Sequence, residues 1–364
     1  MRVKLKDITK FSKGTQINGK NLIDDGAYSY LNGGINPSGK WNEFNVAENT
    51  VTISEGGNSS GYVNYMNDAF WCGAHCYYLY DGPKNSKYLY YALKSQQERL
   101  FRIRSGACMP NIKKSDLGNF IIEYEKDEVR QEEVVKVLEK CELLIGDYNK
   151  KLTLLDEAVR ARFVEMFGDL RINDKGWKYY KLDELTELIT DGEHATPKRT
   201  TQGIYLLSAR NVLNHQLSLE DVDFIDCDEF DRISRRIIPK EGDVLISCSG
   251  SIGRCCIVPK NIKFQMVRSI ALLRFKSNIN PVFAEYMITS DYLQNQINKS
   301  KTASSQANLF QGKIKSLKGV VPPLELQNQF ASFVQEIDKS RSRIQKSLEA
   351  SQELFDSLMQ EYFG

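Results

Sequence analysis

Apolar side chains recur at alternating spacings of four and three along two stretches of the chain, 131–168 and 327–364. In the first they fall at Val134, Leu138, Cys141, Ile145, Tyr148, Leu152, Leu155 and Val159, and the row continues through Arg162 to Met166. In the second they fall at Phe330, Val334, Ile337, Ile344, Leu348, Phe355, Leu358 and Tyr362, with Arg341 and Ser351 as polar members of the row. A 4-3 spacing keeps one stripe on one side of an α-helix, and Glu, Lys, Arg and Gln fill the outer positions, so both stretches read as coiled-coil helices. Neither contains proline, and each ends in Phe-Gly (Phe167-Gly168, Phe363-Gly364), a usual stop just past a helix. A helix of about 38 residues would be roughly 57 Å long. Neither can bury its stripe alone, and the simplest solution packs the two antiparallel on each other within one chain. Arg162 and Arg341 are then expected at the rim or at partner contacts, with their stems along apolar surface.

The two stretches coincide at a shift of 196 residues, and the repeat extends upstream. Thr52-Ile-Ser-Glu-Gly-Gly-Asn-Ser-Ser-Gly61 parallels Leu245-Ile-Ser-Cys-Ser-Gly-Ser-Ile-Gly253, each a short strand entering a Gly/Ser turn, followed by a second strand. Asn111-Ile112, with Leu117 and Phe120, lines up with Asn308-Leu309, Ile314 and Leu317. Strand-rich segments at 71–79 and 269–275 are followed by shorter helical patterns at 87–103 and 281–299. The organisation is therefore α+β: a mixed globule at 1–125, a long helix at 126–170, a second globule at 171–322 and a second long helix at 323–364. The segment 169–176 and the pair Pro322-Pro323 mark the junctions.

Composition changes this picture little. The chain has 364 residues, 49 Lys and Arg against 47 Asp and Glu, 41% hydrophobic and 26% charged residues, which suits about two globular domains. No apolar run is long enough for a membrane span. The opening MRVKLKDITKFSKG has no apolar signal core, so a cytoplasmic location is expected, with the eight cysteines as thiols. A formal charge of +2 neither demands nor excludes nucleic acid.

Enzyme chemistry is hard to find. There is no phosphate loop and no strand-linked G-x-G-x-x-G. Asn36-Pro37-Ser38 and Pro322-Pro323 both fall short of the Asn-Pro-Pro-aromatic motif of amino-methyltransferases. The cluster Cys72-Gly-Ala-His75-Cys76 crowds three ligand types into five residues without a partner pair, and reads as a buried apolar strand rather than a zinc site. No nucleophile has an evident His and carboxylate beside it. No catalytic residue, metal or cofactor of the chain's own is expected; the chain reads as one that binds.

Basic and amide side chains sit in turn-like contexts in both halves. The first half has Lys13-Gly14-Thr15, the Gly-rich stretch from Asn32 to Lys40, and 102–114 with Asn111 and Lys113. The second has Asp191-Gly-Glu-His194-Ala-Thr196-Pro-Lys198-Arg199, Ser208-Ala-Arg210-Asn211, Ser249 and Ser251 in the Gly/Ser turn, and 299–315 with Asn308 and Lys313. Arg and Lys donate to guanine edges and phosphates, and Asn pairs with adenine, so the mix suits duplex DNA. Arg210 could equally pair with Asp221 or Asp223.

These residues also resemble a family. Asp191-Gly-x-His194-x-Thr196-Pro197-Lys198, Gly242-Asp243-Val-Leu-Ile-Ser247-x-Ser-Gly250-x-Ile-Gly253, and Asn308-Leu309 leading to Pro322-Pro323-Leu324-x-Leu-Gln327 are similar to the specificity (S) subunit of Type I restriction–modification systems. The first half departs from the pattern: Thr15-Gln16-Ile17 follows Gly14, Glu55-Gly56-Gly57 replaces Ser-Gly, and Glu125-Lys126 replaces the proline pair. The resemblance implies two target-recognition domains, each reading one half of a split, asymmetric DNA site. It implies two long antiparallel helices with pseudo-two-fold duplication, acting as a ruler and as the docking surface for two methyltransferase (M) subunits. Restriction (R) subunits would join, and S-adenosylmethionine, ATP and magnesium would belong to those partners. A non-catalytic coiled-coil scaffold with protein- or carbohydrate-binding globules is the alternative. Phe163, Phe167, Leu354 and Phe363 flank the stripe near the repeat ends and are expected to meet a partner; the alternative is that the two globules cover them.

Overall fold

The computed structural model describes residues 1–106, 108–300 and 308–364, so part of the basic stretches 102–114 and 299–315 lies outside the described residues. The chain divides into two compact units: Met1–Lys150 with Ile344–Gly364, and Lys151–Arg343.

The first unit contains β1 (Arg2–Lys4), β2 (Lys10–Lys13), β3 (Tyr28–Leu31), β4 (Gly39–Trp41), β5 (Thr50–Ser54), β6 (Val63–Met66), β7 (Phe70–Cys72), β8 (Cys76–Tyr80) and β9 (Ile121–Glu123). Helices α1 (Ser86–Lys94), α2 (Gln97–Arg102) and α3 (Lys114–Gly118) follow β8, and the long helix α4 (Glu128–Phe167) begins here. A four-stranded antiparallel sheet runs β2-β8-β5-β6; a three-stranded sheet runs β4-β3-β7, with β3 and β7 parallel; β1 pairs β9.

The second unit repeats this plan with β10 (Tyr179–Lys181), α5 (Leu182–Leu185), β11 (Thr186–Asp191), β12 (Ile204–Leu207), β13 (Val212–Leu213), β14 (Gln216–Leu217), β15 (Asp223–Ile225) and α6 (Cys227–Ser234). It continues with β16 (Val244–Ser247), β17 (Cys255–Ile257), β18 (Phe264–Met266), β19 (Ile270–Phe275), α7 (Pro281–Thr289), α8 (Asp291–Ser300), α9 (Gln311–Ser316), β20 (Lys318–Val320) and the long helix α10 (Leu324–Phe363). Its sheets run β11-β19-β16-β17 and β15-β12-β18, again with one parallel pair, and β10 pairs β20. The hairpin β13-β14 and helix α6 are its additions among the described residues.

The central strand of the second unit explains an unbroken apolar run. Val244 and Ile246 point, with Ala271 and Leu273, into a core shared with Phe283 and Met287 of α7. Their neighbour Leu245 points, with Leu272, into a separate core formed by Leu207, Val212, Phe264 and Met266. Strand side chains alternate between faces, so a sheet buried on both sides needs every position apolar. The short helices start where the sequence supplies caps: the Asn85 side chain accepts from Tyr88 N–H at 3.0 Å, and that of Asn280 from Val282 N–H at 2.9 Å.

Within each unit the long helices bury the outer turns of the expected stripe, and middle positions such as Ile145, Leu152, Ile344 and Leu348 are half-buried. In the first unit Val134, Val135 and Leu138 share a core with Met359, Phe363, Phe355 and Leu358, and the Arg130 guanidinium lies 5.9 Å from the Tyr362 ring. In the second, Phe163 meets Phe330 at 5.4 Å, Arg162 lies 5.9 Å from Phe333, and Arg341 pairs with Asp156 at 2.7 Å. Low numbers meet high numbers in both cases, which makes each packing antiparallel. Arg162 and Arg341 are half-buried, with their charged ends on Glu165 and on Asp156, as a rim position requires.

Three of the four expected partner residues are core instead. Phe163 and Phe167 pack with Phe283 and Phe330, and Phe363 packs on Tyr88, all nearly inaccessible. The reason is that each globule lays a helix (α1, α7) over the end of the stripe, which the periodicity alone does not reveal. Leu354 stays exposed, at 52%. No helix among the described residues is long and apolar enough to cross a membrane.

Candidate nucleic-acid interface

In each unit a backbone hydrogen bond links the segment just after the first strand of the four-stranded sheet to the end of a strand of the three-stranded sheet. In the first, Thr15 N–H donates to the Cys72 carbonyl at 2.9 Å; in the second, Glu193 N–H donates to the Met266 carbonyl at 2.8 Å. The preceding residues are Gly14 and Gly192, and a Cβ on either would overlap that same carbonyl oxygen. Close backbone approach therefore explains the glycine of Asp191-Gly-x-His194. A second shared feature is the Gly/Ser turn. Gln97 donates to the Gly61 carbonyl at 2.7 Å and Gln294 to that of Gly253 at 2.9 Å, and both glycines have positive φ. Ile112 N–H donates to Glu55 and Leu309 N–H to Cys248, each at 2.9 Å.

On this frame the first unit gathers Lys13, Asn32 and Asn111 around Glu55. The Glu55 carboxylate takes Lys13 on one oxygen and His75 Nδ1 on the other, at 3.4 Å. The Asn32 side chain accepts from His75 N–H at 3.2 Å, and Asn111 bridges to Gly56 and accepts from the Ser105 hydroxyl at 3.0 Å. Thr15 is exposed beside Trp71, whose Nε1 donates to its carbonyl at 2.7 Å. Lys40, on β4, and Lys113, before α3, are exposed and make no ion pair among the described residues. Glu55 and His75 were absent from the sequence-derived candidates. His75 lies in the β7-β8 turn and faces solvent while Cys72 and Cys76 are buried; the apolar surroundings in sequence hid it.

The second unit gathers more cations. Asp223 accepts from Arg199 Nε and pairs with Arg210 Nη2, each at 3.0 Å, and so brings together two loops eleven residues apart. Both alternatives for Arg210 occur together, since its Nε also pairs with the Asp221 carboxylate at 3.3 Å while donating to the Asp221 carbonyl at 2.9 Å. Burial pushes the Asp223 carboxyl up, but the two arginines outweigh it and hold it below its ordinary range. His194 Nε2 meets Asp191 at 2.8 Å, and Arg236 meets the other Asp191 oxygen at 2.8 Å. Lys198 N–H donates to Glu229 at 3.1 Å, and Glu229 also holds Arg232. Thr196, Lys198 and Lys313 are exposed. Ser249 and Asn308 form a bridge one residue from Cys248, whose N–H donates to the Ser269 carbonyl; the Ser269 hydroxyl accepts from Ala209 N–H at 3.0 Å. Ser251 is exposed, and its carbonyl accepts from the Ser247 hydroxyl at 2.6 Å.

One candidate must be withdrawn. Asn211 is 1% exposed: its amide donates to the Ser218 and Asp221 carbonyls, and its oxygen accepts from Ser208 N–H. All its hydrogen-bonding capacity is spent on closing the turn, so it reads no base. Arg232 and Arg236 were missed, because Glu193 and Asp191, which tie them to the site, lie some 40 residues away in sequence. All eight cysteines are free, burial raises the Cys248 thiol to about 12, and no metal-binding cluster occurs among the described residues.

A sequence profile of the Type I restriction modification DNA specificity domain matches residues 1–154 and 174–352. The chain belongs to this family. A protein of Mycoplasma pneumoniae named as a type I specificity subunit is 32% identical over 209 residues, covering 50% of this chain and 56% of that protein. The MjaVIII specificity subunit of Methanocaldococcus jannaschii is 22% identical over 285 residues, covering 71% and 67%. The chain spans about half the length of the first curated relatives it matches, 56% and 52%. In fold it is similar to the crystallised S subunit of a type I system from M. genitalium, with a TM-score of 0.68 at 19% identity over 100% of this chain and 96% of that one. Each profile match takes in one globule and much of the long helix that follows it, so the duplication seen in the hydrophobic pattern and in the sheets is that of the specificity domain.

Proposed function

We propose that this chain is the DNA-specificity subunit of a cytoplasmic Type I restriction–modification complex, with no catalytic residue, metal or cofactor of its own. Each unit reads one half of a split, asymmetric duplex site, and the helices dock two methyltransferase subunits, to which restriction subunits are added. S-adenosylmethionine, ATP and magnesium belong to those partners. Leu354 and other exposed apolar residues on the helices, such as Leu144 and Leu154, remain available for docking.

The observation that carries the reading is the pair of equivalent loop clusters on one scaffold with different side chains. Lys13, Thr15, Asn32 and Asn111 serve the first half-site, with Lys40 and Lys113 as outlying phosphate contacts. His194, Thr196, Lys198, Arg199 and Arg210 serve the second, with Ser249, Ser251, Asn308 and Lys313 nearby. Cations, hydroxyls and amides of this kind position a duplex by its phosphates and read its base edges.

Binding to random duplex DNA across a salt series tests the reading. Phosphate neutralisation releases counterions, so affinity should fall steeply as salt rises. A flat salt response would overturn it in favour of a scaffold with protein- or carbohydrate-binding globules.

A further inference from the structure

Resting on that reading, we propose that Asp223 is a positioning residue that joins Arg199 and Arg210 into one reader of guanine in the half-site taken by the second unit. Asp223 opens β15 and faces two loops, the one following β11 and the turn following β12. One carboxylate oxygen holds Arg199 Nε and the other holds Arg210 Nη2, each at 3.0 Å. The backbone around it fixes the same loops: Thr200 N–H donates to the Phe224 carbonyl, and both Arg210 Nε and the Asn211 amide donate to the Asp221 carbonyl, all at 2.9 Å. Residues 221–224 thus act as a rail on which both loops are seated.

What the rail leaves unused is the informative part. A guanidinium has five N–H donors. Arg199 spends only Nε, and Arg210 spends Nε and one Nη2 hydrogen, so each keeps outer donors with no protein acceptor among the described residues. Both side chains are nearly half exposed. Paired, outward N–H donors fit guanine O6 and N7 in the major groove, the base edge that offers two adjacent acceptors. Holding the guanidinium plane in advance removes much of the ordering cost that a free arginine meets on binding. The carboxylate has a second consequence. It cancels part of the positive charge, so the pair is a poorer site for a phosphate than two free arginines would be. Asp223 should therefore favour base reading over indiscriminate backbone binding.

The full chain, assembled with its methyltransferase subunits, is compared as wild type, Asp223→Asn, Arg199→Lys and Arg210→Lys. Specific and random duplexes are titrated across salt, and modified adenines are mapped. Asp223→Asn should lose about ten- to a hundredfold of its preference at one G·C position of one half-site. Its binding to random duplex should hold or strengthen, with a salt slope at least as steep, and the other half-site should be unaffected. The two lysine variants keep the charge but not the paired donors, so they should relax the same position while leaving the salt slope unchanged; they decide the matter if Asp223→Asn fails to fold. Unchanged preference in these variants, or an equal loss at both half-sites, overturns the inference, and relaxation at an A·T position overturns the guanine assignment. If the wild type itself shows no salt-dependent duplex binding, the functional reading has failed instead.

Discussion

Where the two sheets of each unit meet, the first unit places Lys13 before its glycine and the second places Asp191 before the equivalent one. At the next equivalent position the first unit has Glu55 and the second has Cys248. The first unit has a cation held by a central carboxylate where the second has, at the equivalent position, a carboxylate that holds His194 and Arg236. The backbone contacts, the positive-φ glycines and the glutamine braces are the same. The frame thus needs small residues and buried amides at a few points, while the exposed loops around it are free to exchange charge.

The comparison can be broken most forcefully in the cores. Phe167→Ala and Phe363→Ala remove aromatic rings from equivalent helix ends, and each should cost about 3–5 kcal/mol in thermal or urea unfolding of the isolated chain. If either residue were a partner contact instead, the isolated chain would melt unchanged. Gly14→Ala and Gly192→Ala come next, with about 1–3 kcal/mol or more from a Cβ forced against a backbone carbonyl. Equal effects in both units would sharpen the equivalence, and tolerance in one would end it. Gln97→Ala and Gln294→Ala should each cost about 1–3 kcal/mol, since a buried carbonyl loses its donor.

A smaller, pH-dependent effect belongs to the second unit. Burial raises the Glu285 carboxyl above its ordinary 4.5, opposed by His215 at 3.4 Å, whose ring stacks on Tyr286 at 4.1 Å. A raised acid favours the folded state in its protonated form. That contribution is complete below about pH 4.5 and is lost as pH rises through the folded value. Glu285→Gln should therefore gain stability relative to wild type as pH climbs from 4.5 towards neutrality, measured by urea unfolding at a series of pH values. A constant difference across that range would refute it.

How much of this was legible in the sequence follows from the range of the interactions. The 4-3 stripe and the strand-turn-strand repeat are local patterns, and Val134, Leu138, Val159, Phe330 and Val334 are buried as the spacing requires. Gly192 and Arg210 lay in recognisable turns. Glu55, Arg232 and Arg236 were not legible, because their partners come from distant elements and only the folded sheets bring them together. Asn211 misled for the same reason: its chemistry suits adenine, yet the Ser218 and Asp221 carbonyls claim it. Phe163, Phe167 and Phe363 misled because a helix stripe does not say whether its last turn meets a partner or its own globule.

The central claim is that two units on one frame read two different half-sites. Modified adenines should be mapped in DNA from cells co-expressing the chain with its methyltransferase subunit, for wild type and for Arg210→Ala. The wild type should give a bipartite, asymmetric motif. Arg210→Ala should give relaxation confined to one half, worth about 1–3 kcal/mol. A continuous or symmetric motif, or relaxation of both halves together, would contradict that claim.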